Sequence, residues 1–502
     1  YRVSDAEAAN RKAVGLLLKT GVLAQSADHT VVSLHQLQSR VWRETLDTIQ
    51  QETAVAATAR VLSRVTIPQL QSRVWRETLD TVQQETAVAA TARVLSRVTI
   101  PQGADWETTT RPTAQALASQ LVALHDRAET QSAGQHADPF REAVSHPDIL
   151  KTSITAMRWC IDAGLPGLAV DLAPYTSLCE QTLGTTHPDT LTSRNNLAGA
   201  YRDAGDLDQA IPLFEQTLAD TEQVLGPRHP QTLASRGNLA LAYRDAGDLD
   251  QAIPLFEQNL TDRERILGPR HPDTLTSRNN LAAAYKDAGN LDQAIPLFEQ
   301  TLTDQEQALG PRHPDTLISR GNLATAYRDA GNLDQAITLF QQNLTDRERI
   351  LGPRDPHTLT SRNNLALAYQ AAGNLDQAIP LFEQNLTDQE QILGPRHRDT
   401  LTSRNNLATA YQDAGNFDQA ITLHEQNLTD QEQILGPHHP HTLTSRNNLA
   451  GAYHAAGKLD QAIALYKQAL SDAVEVLGDQ HPTTLVIRRN LKQASRERDE
   501  TA

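Results

Sequence analysis

From His187 onward the apolar side chains fall into two blocks of helical period separated by a short polar break. Leu191, Leu197, Ala198 and Tyr201 recur at helical spacing, and Ala204-Gly205 ends the run with a glycine suited to a left-handed cap. This predicts a helix A over about 189–203. Asp206 stands where an N-cap belongs, and Leu207, Ala210, Ile211, Phe214, Leu218, Val224 and Leu225 mark a longer helix B that stops at Gly226-Pro227. The run His187-Pro188-Asp189-Thr190 puts a proline and an acid in the first turn of helix A, where a missing N–H costs little and negative charge suits the dipole.

The 42-residue string from His187 to Arg228 returns with few changes from His229, His271, His313, Asp355, His397 and His439, making seven full units over 187–480. A partial eighth unit at 481–502 passes through Leu485 and Leu491 into a polar tail, and a divergent unit occupies 146–186. So regular a period predicts a solenoid in which each helix pair covers its neighbour's apolar face and stability belongs to the array. Pro212, Pro254, Pro296 and Pro380 lie too deep in helix B to be first-turn prolines and are expected to remove one backbone hydrogen bond and bend the helix. Thr338, Thr422 and Ala464 at the same place make that bend optional.

The pattern N-L-A-x-A-Y-x-x-A-G-x-x-D-Q-A-I-x-L-F-x-Q-x-L resembles the tetratricopeptide repeat, with Tyr201, Gly205, Ala210 and Phe214 at the signature places. The 42-residue length and the recurring LGPxHPDTLxSRNNLA resemble the kinesin-light-chain-like type, over roughly 146–495. The resemblance implies an all-α fold, a right-handed superhelical solenoid of antiparallel helix pairs. One departure is the arginine at Arg194, Arg236, Arg278, Arg320, Arg362, Arg404 and Arg446, where many members carry a large apolar residue.

Upstream, AVGLLLKTGVLAQSADHTVVSLHQLQSRVWRETL reads as helix, hairpin and helix. Residues 1–46 thus resemble the winged-helix end of NB-ARC or STAND signalling ATPases, whose phosphate-binding loop would lie before Tyr1. Residues 36–68 recur as 69–101 with the single change of Ile49 to Val82, so 36–101 reads as a tandem 33-residue helical duplication. The stretch 102–145 reads as a linker around one helix, ALASQLVALH.

Composition narrows the function classes. The net charge of −16 argues against a nucleic-acid partner, because such affinity comes chiefly from basic groups neutralising phosphates. Two cysteines, no apolar run of membrane-spanning length and no leader point to a reducing, cytoplasmic setting with no membrane partner. The start at Tyr1 and the single Met157 suggest a chain cut from something longer, and seven lysines against 38 arginines suggest a GC-rich bacterial genome.

Chemistry has little to build on. The HPDT histidines come once per unit, too far apart to share a metal, and His438, His439 and His441 lack an acid or thiol to complete a site. Asn259, Asn343, Asn385 and Asn427 match the glycosylation sequon but fall inside helix B. Cys160 and Cys179 read as buried packing residues, and neither G-x-S-x-G nor H-E-x-x-H occurs. No enzyme, cofactor or metal is expected.

Asn195, Gly199 and Arg202 share one stripe of helix A, roughly opposite Leu197. The family resemblance makes that stripe the lining of a concave groove. Along the array it reads Asn195, Asn279, Asn363, Asn405 and Asn447, interrupted by Gly237 and Gly321, beside Arg202, Arg244, Lys286, Arg328, Gln370, Gln412 and His454. Amides can hydrogen-bond a peptide backbone and the cations favour carboxylates, unless Asp203, Asp245, Asp287 and Asp329 neutralise them. The expected function is a protein-interaction scaffold, the sensor or partner-binding arm of a larger bacterial signalling ATPase that takes an extended or acidic peptide. The alternatives are a free-standing kinesin-light-chain-like adaptor and a self-associating structural array.

Overall fold

The computed structural model describes residues 111–130 and 144–501. The winged-helix resemblance at 1–46 and the duplication at 36–101 lie outside the described residues. Among those that are described, all regular structure is helical. Helices Arg111–Thr130, Pro147–Asp162, Pro166–Val170 and Ala173–Leu183 precede the repeats, which run as alternating A and B helices from Pro188–Asp203 and Leu207–Leu225 to Pro440–Ala455 and Leu459–Leu477, with Pro482–Thr501 last. The chain divides into two compact bodies at Asp262 and Arg263.

Each helix A of the seven units but one starts on a histidine. His187 is extended and its imidazole Nδ1 accepts the Asp189 backbone N–H at 3.1 Å, and the same bond recurs at His229, His271, His313, His397 and His439. Where the histidine is replaced, Asp355 Oδ1 accepts the His357 N–H at 2.9 Å, so the acid does the same work. Helix A then closes at Gly205 and helix B at Gly226, both at positive φ that a side chain would strain. Asp206 caps helix B through the Gln209 N–H. Helix B runs 19 residues both around Pro212 and around Thr338, so the proline does not end it.

Packing repeats with the sequence. In the N-terminal body, Ala198, Ala210, Phe214, Leu239 and Ala242 form one apolar cluster between consecutive helix pairs. In the C-terminal body, Phe298, Phe340 and Phe382 are each fully buried among small alanines. The aromatic ring fills the space that alanine leaves, which lets backbones of neighbouring helices approach. Helix Arg111–Thr130, in the stretch read as a linker, buries Leu117, Ala118 and Leu121 in a cluster with Met157 and Cys160 of Pro147–Asp162. The Tyr175 hydroxyl ties it further by donating to the Leu121 carbonyl at 2.8 Å.

Candidate functional site

What fixes the candidate face of helix A is the arginine at the departure from the family pattern. Arg194 is fully buried and bridges Glu180 at 2.7 Å and Asp220 at 2.5 Å. Arg278 repeats this with Glu264 at 3.1 Å and Asp304 at 2.8 Å, and Arg320 with Glu306 at 3.0 Å and Asp346 at 2.8 Å. One partner lies at the end of the preceding helix B and the other within the unit's own helix B. Each guanidinium therefore holds three helices together where an apolar side chain would only fill space. From the second unit on, Nη2 also donates to a loop carbonyl, that of Pro311 for Arg320 at 3.0 Å. A loop arginine, Arg312, reaches the other oxygen of Asp346 at 3.1 Å. A buried charge costs several kcal/mol to desolvate, and paired, multiply hydrogen-bonded geometry of this kind is what offsets it.

A second tie runs from helix A to the preceding helix B. The hydroxyls of Tyr243, Tyr327 and Tyr411 donate to Glu215, Glu299 and Glu383, and Tyr453 donates to Glu425 at 2.6 Å. Burial, then the hydrogen bond to Glu299, pushes the Tyr327 phenol up to about 12.

On this scaffold the predicted asparagines form a chain from unit to unit. In the N-terminal body Asn195 Oδ1 accepts from Asn238 Nδ2 at 3.1 Å. In the C-terminal body Asn279 accepts from Asn322 at 3.2 Å, Asn363 from Asn406 at 3.0 Å, Asn405 from Asn448 at 2.9 Å and Asn447 from Asn490 at 3.1 Å. Asn279 Oδ1 also takes the Ser319 hydroxyl at 3.3 Å. The asparagine just before the helix A leucine, at Asn238, Asn322, Asn406, Asn448 and Asn490 and absent from the sequence-based site, thus orients the stripe asparagine of the preceding unit. Its recurrence before that leucine, even where the stripe residue is Gly237, Gly321 or Arg489, was the available signal. Among the described residues the Nδ2 groups of Asn279, Asn363, Asn405 and Asn447 have no protein partner. At Gly237 and Gly321 the chain is interrupted, and the buried Asn259 and Asn343 amides from helix B sit 3.0 Å and 3.2 Å from where a Cβ would stand.

The predicted cations are not free. Arg202 meets Asp203 at 2.8 Å and Asp245 at 3.7 Å, and Arg244 meets Asp245 at 3.5 Å. Lys286 meets Asp287 at 2.8 Å and Arg328 meets Asp329 at 2.9 Å. Further along, the Gln370 amide donates to Asp413 at 2.6 Å and His454 pairs with Glu497 at 2.6 Å. The stripe is a row of internally paired charges beside a row of oriented amides.

The remaining chemical candidates take structural roles. Asn259, Asn343, Asn385 and Asn427 are at most 2% exposed, out of reach of a glycosylating enzyme. Both cysteines are free and buried, and burial pushes the Cys160 and Cys179 thiols up to about 11, away from the reactive thiolate. Among the described residues no group of three histidines, cysteines or acids could hold a metal, and no helix is long and apolar enough to cross a membrane.

No curated protein matches the chain. A putative kinesin light chain of Podosopora anserina with nearly identical TPR-like repeats is 35% identical, over 41% of this chain and 97% of that one, with a TM-score of 0.37. BtubC (BKLC) from P. vanneervenii is 21% identical over 47% of this chain and 94% of that one, at a TM-score of 0.40. The quorum sensor NprR from B. thuringiensis, in its apo form, is 13% identical over 72% of this chain and 97% of that one, at 0.49. The tetratricopeptide repeat pattern matches eight overlapping stretches from 176–223 to 448–502. With its helix pairs, its buried signature aromatics and that match over most of its length, the chain belongs to the tetratricopeptide repeat family.

Proposed function

We propose that this interaction scaffold takes an extended peptide along the helix A stripe, held chiefly through the peptide's main chain. The observation that carries the reading is the pinned asparagine row. Because Asn322, Asn406, Asn448 and Asn490 donate to the Oδ1 atoms of Asn279, Asn363, Asn405 and Asn447, each of those amides has its oxygen tied within the array and presents its NH2 donors in a fixed direction. Donors of fixed orientation complement backbone carbonyls, which an extended chain presents at regular intervals. An acidic peptide is the weaker form of the proposal, since a ligand carboxylate must displace the aspartates that already hold Arg202, Lys286 and Arg328.

Fluorescence anisotropy with pools of acidic, neutral and basic random-sequence peptides tests this on the full chain. The variant Asn279→Ala, Asn363→Ala, Asn405→Ala, Asn447→Ala is expected to lose about tenfold or more in affinity for all pools, at roughly 0.5–1.5 kcal/mol per hydrogen bond. Binding confined to the acidic pool and abolished by salt would instead assign the work to Arg202, Arg244, Lys286 and Arg328. Equal binding by variant and parent would sink the stripe as the site.

The wider setting we propose is the sensor arm of a larger bacterial, cytoplasmic STAND-type ATPase, supported by the resemblance of residues 1–46 to a winged-helix end. Reading the coding sequence upstream for G-x-x-x-x-G-K-[ST] tests it, and a start codon without such a loop would favour the adaptor reading.

A further inference from the structure

Antiparallel helix pairs give the array two edges, one holding the A-to-B turns and the other the B-to-A turns. In the C-terminal body the B-to-A edge carries a ladder of exposed branched aliphatic residues, Ile266, Ile318, Ile350, Ile392, Ile434 and Val476, each between 44 and 49% exposed. Five of these are the next-to-last residue of a helix B. At the one junction where that place holds Ala308, the aliphatic side chain stands instead at Ile318, in the second turn of the following helix A, where other units carry Thr276, Thr360, Thr402 and Thr444. A rung thus persists at every junction although the residue that supplies it moves. Core packing does not require this, because these side chains are half in water.

We propose that this ladder is a docking edge for a second copy of the chain, meeting it in an isologous, edge-to-edge contact. The repeat itself supplies the match: two copies have rungs of identical pitch, so bringing one pair of rungs together brings the others together. With the leucines that follow three of the rungs, Leu267, Leu351 and Leu435, the edge exposes on the order of 400 Å² of apolar surface, which is about the apolar share of a standard interface of roughly 800 Å² per partner. Charge agrees. The A-to-B edge carries exposed acids such as Asp287, Asp292, Asp334, Asp376 and Asp418. On the ladder edge the acids Asp346, Asp388 and Asp430 are each matched by two arginines, for instance Arg354 and Arg362 on Asp388. Exposed Asp273, Asp315 and Asp399 also lie on the ladder edge, but Arg270, Arg312, Arg354 and Arg396 stand beside them, so two acidic molecules approach more readily along this edge than along the other. The contact is independent of the peptide reading.

Sedimentation equilibrium of the full chain from about 1 to about 100 µM tests the proposal. The weight-average mass is expected to climb from the chain's 55.1 kDa towards twice that value. It should persist at high salt, as apolar contact requires. The variant Ile350→Gln, Ile392→Gln, Ile434→Gln keeps the fold, checked by circular dichroism, and is expected to stay at 55.1 kDa over the same range. A parent chain that remains at 55.1 kDa throughout, or a folded variant that associates as strongly, overturns it.

Discussion

One residue carries a stability change with pH that its neighbours lack. At the signature aromatic position of helix B, Phe298, Phe340 and Phe382 give way to His424, which is 2% exposed and whose imidazole burial pushes down to about 4. In the unfolded chain that imidazole titrates near its ordinary 6.5. The unfolded state therefore binds the extra proton first, so the stability due to neutral His424 is fully present above pH 6.5 and is lost as pH falls towards 4. The loss amounts to about 3 kcal/mol. The variant His424→Phe is expected to be more stable at pH 5 than the parent, and the gap should narrow at pH 7.5; urea midpoints at the two pH values measure it. A gap independent of pH would mean that His424 is solvated. The sequence showed the residue at the signature column but not its state, because burial depends on the next helix A closing over it. The cap histidines show the same limit: the recurring HPDT motif placed them at the start of helix A, while their acceptor role needed the extended backbone at His187.

At the scale of the helix, sequence periodicity located nearly every element and missed what joins them. The predicted helix A at 189–203 is found at Pro188–Asp203, because Leu191, Leu197 and Ala198 have no other way to share a core. An arginine within that apolar face looked like a departure. Its three partners come from positions 14 residues earlier, nine earlier and 26 later, distances that helical spacing does not connect. The consequence is measurable. Arg320→Ala removes the link between Glu306, the Pro311 carbonyl and Asp346, and is expected to destabilise the chain by about 3–5 kcal/mol. Arg320→Met should cost less, since its stem fills the same space, Arg312 still holds Asp346, and Glu306 is exposed enough to turn to water. Guanidinium unfolding of both variants decides it. Equal loss in the two would assign the energy to the ion pairs alone. Helical spacing assigned Asn195 and Arg202 to one stripe of helix A, but it could not supply their partners Asn238 and Asp245, which belong to the next unit.

For the whole molecule, what matters is that the junctions closed by Arg278, Arg320, Arg362, Arg404 and Arg446 in the C-terminal body are built from the same parts. Glu348 and Pro353 at the end of one unit meet Arg362 in the next, and Glu390 and Pro395 meet Arg404 one unit later. Deleting residues 355–396, one full unit, therefore brings Glu348 and Pro353 against Arg404 and recreates a junction the chain already contains. In a nearest-neighbour array both the unfolding free energy and its denaturant slope scale with the number of units, so their ratio, the midpoint, changes little. The expected result is a cooperative guanidinium transition at nearly the parental midpoint, with helical signal per residue unchanged. Deleting only 355–375 takes out half as much chain but removes one helix A, sets two B helices in succession and leaves Glu348, Asp388 and Phe340 without the surfaces they meet. That variant is expected to unfold at markedly lower denaturant or in two steps. If the larger deletion proved the more damaging, stability would reside in particular units and not in the repetition of one junction.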